Sequence, residues 1–189
     1  MKPMSEKSDL IKIMVLGLDS ERRIIFIRKI ADHISEMTKS TLGVDFGLKN
    51  FKLEIKEKTK DIGIQIWGMN DESRFKGVRE LFLPGTQGII FCVSKGDAIE
   101  IRYLNDWIED INTTLDRNVP IILIRITKDL KERLANKNRE NIEKFMRSSN
   151  INNYYEISTV TGENIEKAFE VIAELSYELY VTWLNRINN

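Results

Sequence analysis

The sequence predicts an α/β domain built on a mostly parallel sheet. The runs "GIIFCVS" and "VPIILIRI" are continuously apolar, as strands covered by helices on both faces are. Segments with apolar residues at helical spacing separate these and other strand-like runs. The two kinds of element alternate along nearly the whole chain of 189 residues, a length that suits one domain.

The elements follow in order. Residues 1–9 are polar and expected to form a flexible N-terminal segment. The domain is expected over residues 10–185, with 186–189 as a tail. "IKIMVLG" reads as a short buried strand. "RRIIFIRKIADHISEM" reads as a helix, with Ile24, Ile25, Ile27, Ile30 and Ile34 at helical spacing. "FKLEIKE" alternates, with Phe51, Leu53 and Ile55 on one face. "DIGIQIW" alternates again, so the two can pair as a hairpin across "KEKTKD". The apolar strands "GIIFCVS" and "VPIILIRI" follow, separated by the helical pattern "AIEIRYLNDWIEDINTTL". Next come the helical pattern "NRENIEKFMRSS" and the strand "YYEIS". A last helix, from near Gly162 towards Asn185, turns Ile165, Phe169, Ile172, Leu175 and Leu179 to the core. The charges on that helix read as a solvated face. Repeats and low-complexity tracts are absent, and prolines number only 3.

Composition narrows the functional classes. Hydrophobic residues make up 42% and charged residues 31%, enough for a core and a wet surface. Lys+Arg and Asp+Glu are both 29, and this balance argues against a nucleic-acid partner or electrostatic membrane attachment. The single cysteine, Cys92, lies in an apolar run and reads as a buried, inert thiol. The single histidine, His33, falls within the first helical pattern and reads as structural. No apolar run is long enough to span a bilayer and no signal peptide is evident, so a cytoplasmic setting is expected. "WLNRINN" carries no cysteine, so no prenyl membrane anchor is expected.

Ligands of parallel α/β sheets sit beyond the carboxyl ends of the strands. That directs interest to the loops after Gly17, Trp67, Ser94, Ile126 and Ser158. The first of these, "VLGLDSERRI", opens like a phosphate loop, G-x-x-x-x-G-K-[ST] between strand and helix. Gly17 stands where the motif begins. Arg22, Arg23 and Ile24 stand where Gly, Lys and Ser/Thr belong.

The loops carry a recognisable order. "STLGVDFGLKNFKLE" resembles the first switch region and following strand of the Rab branch of Ras-like small GTPases. "IQIWGMNDESRF" resembles that family's W-D-T-A-G-Q-E-R-F, and "TQGIIFCVSKGD" its G-A-x-G-x-I-L-V-Y-D-V-T-D. "PIILIRITKDL" resembles P-I-I-L-V-G-N-K-x-D-L, and "YYEISTVTGENIEKAFEVIAEL" resembles Y-F-E-T-S-A-K-T-G-x-N-V-x-x-A-F. The resemblance runs from about Ile11 to Leu184. It implies a Ras-like G domain of the P-loop NTPase type, with six strands flanked by five helices.

The departures fall on the residues that handle nucleotide in that family. Arg22 replaces the glycine that lets the backbone approach phosphate. Arg23 keeps the lysine's charge but not its compact geometry. Ile24 has no oxygen for a magnesium ion. Gly68 and Asp71 stand at the D-x-x-G positions, and a carboxylate near a phosphate repels it by about 4 kcal/mol at 4 Å and an effective dielectric near 20. Glu72 stands at the position of the glutamine that orients the attacking water. Ile126, Thr127, Lys128 and Asp129 replace N-K-x-D, and Ser158, Thr159 and Val160 replace S-A-K.

Some positions are retained. If nucleotide binding survives, the resemblance assigns it to Gly17, Ser20, Arg22, Arg23, Thr41, Asp129 and Ser158, with Thr41 the one candidate for a magnesium ligand. Asp129 is equally suited to cap a helix at "TKDLKERL". Phe46, Trp67 and Phe82 match the aromatic triad that Rab proteins present to effectors; together with Val44 they are the candidate partner-binding residues. The same aromatics also suit a core. Trp67 lies on the opposite parity from Ile62, Ile64 and Ile66, which favours a surface position. The expected function is thus a pseudo-GTPase that recognises a protein effector or a partner GTPase, with no cofactor. The alternative is an atypical GTPase that still cycles GTP and GDP with magnesium. The acids Asp71 and Glu72 are further expected to face Arg22 and Arg23 in place of the missing phosphate.

Overall fold

A computed structural model of the chain describes residues 9–35, 44–55, 58–69, 80–116 and 118–187. Thr41, Asp71 and Glu72 therefore lie outside the described residues. The element order is β1 (Asp9–Leu16), α1 (Ser20–Ile30), β2 (His33–Ile34), β3 (Val44–Ile55), β4 (Lys58–Met69), β5 (Gly88–Val93), α2 (Ala98–Thr114), β6 (Ile121–Thr127), α3 (Asn136–Ser148), β7 (Asn153–Ser158) and α4 (Ile165–Ile187). Residues 80–82 are helical as well. The strands form one sheet in the order β2-β3-β4-β1-β5-β6-β7. The β2–β3 and β3–β4 pairs are antiparallel and the rest parallel.

This is the expected α/β architecture, with seven strands rather than six. The additional strand is the two-residue β2. The apolar pattern that suggested a helix through Ile34 stops at Ile30, where Ala31 turns extended with ψ 138°. The backbone of β3 then takes up the chain: Asp32 N donates to Leu48 O (2.9 Å) and Ser35 N to Phe46 O (3.1 Å). His33 is consequently an exposed strand residue and not a helical one. The β3–β4 hairpin is longer than the alternating runs suggested, pairing Val44 with Met69 at one end and Ile55 with Lys58 at the other. α4 continues to Ile187, so Arg186 and Ile187 are helical rather than part of a tail, and β1 begins at Asp9.

Each face of the sheet carries its own core. On one side Ile11, Ile13 and Val15 of β1 and Ile62, Ile64 and Ile66 of β4 pack against α1 and α4. On the other, Met14 and Leu16 pack with Phe91, Leu104, Trp107 and Phe145, under α2 and α3. The buried stripe of α1 is Arg23, Phe26, Ile27 and Ile30. This spacing of three, four and seven defines a single helix face. A charged residue thus occupies a core position of that stripe, and it does so at the mouth of the candidate site. Cys92 is buried as expected, and burial pushes its thiol up.

Candidate functional site

The site lies where β1 turns into α1. Gly17 is required there by close approach: a Cβ on it would lie 2.6 Å from the carbonyl oxygen of Cys92 on β5. Asp19 then caps the helix. Its Oδ1 accepts from Arg22 N at 3.0 Å, and its Oδ2 lies 3.3 Å from Arg22 Nε. The N-terminus of a helix attracts an anion through its free amides and its dipole. Here the anion is the chain's own carboxylate. Ser20 is the first residue of α1 and half-buried.

Arg22 extends across the carboxyl ends of the strands. Its Nη1 donates to Ile126 O of β6 at 2.6 Å. Arg23 points the other way, into the protein, and is only 1% exposed. Its Nη1 donates to Gly17 O at 2.9 Å and its Nη2 to Asp45 Oδ2 at 3.3 Å. Its Nε has no hydrogen-bond partner among the described residues. Burial pushes the Asp45 carboxyl up, and the guanidinium of Arg23, with Arg28 behind it, pulls it back only in part. Gly68, paired in register with Asp45, leaves the space: a Cβ there would lie 3.3 Å from Arg23 Nε and 2.5 Å from Ile27 Cδ1. Among the described residues the acid facing Arg23 is therefore Asp45, which sequence reasoning had not singled out; the expected acids, Asp71 and Glu72, fall outside them. Asp45 had no sequence signal beyond being an acid in a strand that otherwise turns apolar residues to the core.

The loops after β6 and β7 are closed on themselves. Ile126 is buried in the core. Thr127 Oγ1 shares its one proton between Glu132 Oε2 (2.8 Å) and Asp129 O (3.0 Å). Asp129 Oδ1 accepts from Lys131 N at 2.9 Å, and Glu132 N donates to Asp129 O. Asp129 thus caps a turn and not a helix, since α3 begins only at Asn136. Ser158 Oγ donates to Lys128 O (2.8 Å) and accepts from Thr161 N (3.1 Å). Thr159 N donates to Thr127 O, which binds the two loops together.

A second buried arginine, also missed by sequence reasoning, braces these loops from the other face. Arg125 is 2% exposed. It donates to Ser94 O (3.3 Å), Glu132 O (3.1 Å) and Glu156 Oε2 (3.2 Å). Its position in an apolar strand, at the glycine of the matched motif, was the available signal. Nearby, Glu100 accepts from the amides of Ser94, Lys95 and Gly96 and from Ser94 Oγ.

The aromatic residues do come together. The rings of Phe46 and Trp67 are 4.8 Å apart at an edge-on angle, and those of Trp67 and Phe82 are 5.4 Å apart. All three are half-buried, so each has a packed side and an open side. Val44, expected beside them, is buried in the core under α2 and supports this face rather than presenting a surface to a partner. Leu48, 39% exposed, lies two residues from Phe46 on the same face of β3 and extends the apolar surface.

Residues 12–178 match the Ras family. The chain belongs to the Ras family. Its Ras-family relatives include Ras-related protein Rab-1 of Theileria parva, 31% identical over 173 residues that cover 90% of this chain and 76% of that protein. Ras-related protein Rab-11C of Dictyostelium discoideum is 25% identical over 179 residues, covering 94% of this chain and 77% of that one. Ras-related protein Rab-34 of Rattus norvegicus is 26% identical over 176 residues, 90% of this chain and 65% of that protein. This Ras-family chain is accordingly Rab-like, and its fold is the Ras-like G domain expected from the motifs. Among the described residues, no helix is long and apolar enough to cross a membrane.

Proposed function

We propose that the chain is a Rab-like pseudo-GTPase, a module that recognises a protein effector or a partner GTPase through the face of Phe46, Trp67 and Phe82. On this reading it binds and hydrolyses GTP little or not at all. The observation that carries it is the occupation of the phosphate end of the cleft by the chain's own charges. Asp19 takes the amide of Arg22, Arg22 reaches Ile126 O, and Arg23 is neutralised by Asp45.

The described side chains fit the family's magnesium and guanine nucleotide poorly. Ile24 offers no oxygen to a hard cation. Ile126 has no side-chain amide with which to read a base, and the Asp129 carboxylate is engaged by Lys131 N. Family membership alone favours the alternative, a GTPase that binds GTP or GDP with magnesium, and one measurement separates the two. A ligand at 100 times its dissociation constant stabilises by about 2.7 kcal/mol, a melting shift of roughly 5–10 °C in a chain of this size. With millimolar Mg·GTP or Mg·GDP the melting curve is expected not to move. A guanine-specific shift of that size, abolished by EDTA, establishes the alternative.

Recognition through the aromatic face is tested separately. Trp67→Ala is expected to weaken capture of a partner by about thirtyfold, the effect of an anchor worth 2 kcal/mol, while the far-ultraviolet dichroism stays unchanged. Unaltered binding by the mutant, or loss of the fold, removes Trp67 from the recognition surface.

A further inference from the structure

The open side of the aromatic face contains a cation that none of the motifs accounts for. Lys12 lies on β1, in register with Gln65 of β4. Its Nζ stands 5.0 Å from the centre of the Trp67 ring. It donates to the carbonyl oxygens of Phe82 and, at 3.1 Å, of Pro84. The main chain of the same residue is fixed reciprocally: Lys12 N donates to Gln87 Oε1 (2.6 Å) and Gln87 N to Lys12 O (2.9 Å). Trp67 Nε1 in turn donates to Gln65 Oε1 at 3.3 Å. One lysine therefore touches two members of the triad by different means, the first through its ring and the second through its backbone.

We propose that Lys12 is the positioning residue of the recognition face: by holding the Trp67 ring and the Phe82–Pro84 backbone together, it sets the triad in one arrangement without any ligand. The physical reason is the surroundings of the ammonium. The groups packed against it from β4 and from residues 82–87 are Gln65, Trp67, Gln87 and two carbonyls, none of them charged. Asp9, on the same strand, is engaged by Lys60 (2.6 Å) and by the Tyr177 hydroxyl. Glu80, next to the triad in sequence, is exposed. Among the described residues no carboxylate contacts it, and the cation is held by ring and carbonyl dipoles, which makes its geometry depend on Trp67 and Phe82 and theirs on it. This partly desolvated state lowers the Lys12 pKa to about 8.

The experiment reads the chain alone, with 5-fluorotryptophan in place of its 3 tryptophans. The resonance of Trp67 is assigned by Trp67→Phe. From about pH 6.5 to about 9.5 it is expected to shift by more than its linewidth, with a midpoint at about 8. Among the described residues, the buried Cys92 thiol is pushed far above this window. Lys12→Met is expected to abolish the shift. Lys12→Arg, whose cation does not titrate, is expected to hold the resonance at its low-pH position throughout, and it serves if the Met variant fails to fold. A Trp67 resonance that stays fixed in wild type, or that titrates equally in either variant, overturns the proposal.

Linkage gives a second, signed readout. The folded chain gives up the Lys12 proton at a lower pH than the unfolded chain, so the unfolded state binds more protons between about 8 and the ordinary 10.5. The stability of wild type relative to Lys12→Met is therefore expected to rise with pH across that window. A relative stability that stays constant or falls across that window contradicts the placement of Lys12. The value of this face to a partner rests on the proposed function, but the two can fail apart: unaltered capture by Trp67→Ala removes the partner reading and leaves the fluorine titration standing.

Discussion

Asp45→Ala is expected to destabilise the chain by about 3–5 kcal/mol, because it strands the guanidinium of Arg23 in the core without a counter-charge. Arg23 is 1% and Asp45 8% exposed, so water cannot take over the lost contact. In a chain of this size that corresponds to a drop in melting temperature of roughly 6–20 °C. The pair itself need not be more stabilising than two apolar residues. The cost comes from removing half of it. A double-mutant cycle with Arg23→Met and Asp45→Leu, read by urea unfolding, is expected to show strong coupling, with the double variant more stable than Asp45→Leu alone. Additive effects would mean that the two side chains do not depend on each other. Acid should not act chiefly through this residue. Burial raises its carboxyl above the ordinary aspartate value, so as pH falls the folded chain takes up that proton before the unfolded chain does. Asp45 therefore opposes acid unfolding.

Arg125→Ala is expected to cost about 2–4 kcal/mol, the sum of lost packing and of the buried Ser94 carbonyl left without its donor. The stranded acid, Glu156, contributes little, since its side chain is 34% exposed and can be hydrated. The buried acceptor left behind is Ser94 O, at the end of β5, whereas Glu132 is exposed and its carbonyl can be hydrated. Arg125→Met retains much of the apolar stem and should recover part of the loss. Hydrogen exchange in the Ala variant is expected to speed up in residues 128–135 and 94–96, and to leave α1 unchanged. Equal acceleration throughout would make Arg125 a general core residue and not a brace for these loops.

Much of the fold was legible because the core strands and helices carry strong periodic patterns. "GIIFCVS" and "VPIILIRI" became β5 and β6, and the helical patterns around Trp107 and Phe145 became α2 and α3. The short β2 was not legible. His33 and Ile34 continue the apolar spacing of α1, and only the backbone of β3, far along the chain, draws them into the sheet. The site was legible as a set of altered motifs, and Gly17, Arg22 and Arg23 do meet at the end of β1. Their partners were hidden because they come from separate strands. Asp45 reaches Arg23 across 22 positions and Ile126 reaches Arg22 across 104. Arg23 shows the difficulty in miniature: it occupies a core position of an amphipathic stripe, where composition suggests a solvated charge.

The close fit of Gly68 against Arg23, Asp45 and Ile27 makes the cleft strongly epistatic. An aspartate at 68, as in the matched motif, would bring its Cβ to 2.5 Å from Ile27 Cδ1 and 3.3 Å from Asp45 Cβ. It would need Ile27 to move and would set a second carboxylate beside the first. Lysine at 23 would shed one of the two bonds that bridge Gly17 O and Asp45, because an ammonium lacks the forked reach of a guanidinium. Serine at 24 alone would add a hydroxyl to a helix whose N-terminal amide is already occupied by Asp19. The single steps at 23 and 68 towards the matched motif thus each disturb an existing contact. An engineered route to the matched motif has to exchange residues 23, 45 and 68 together.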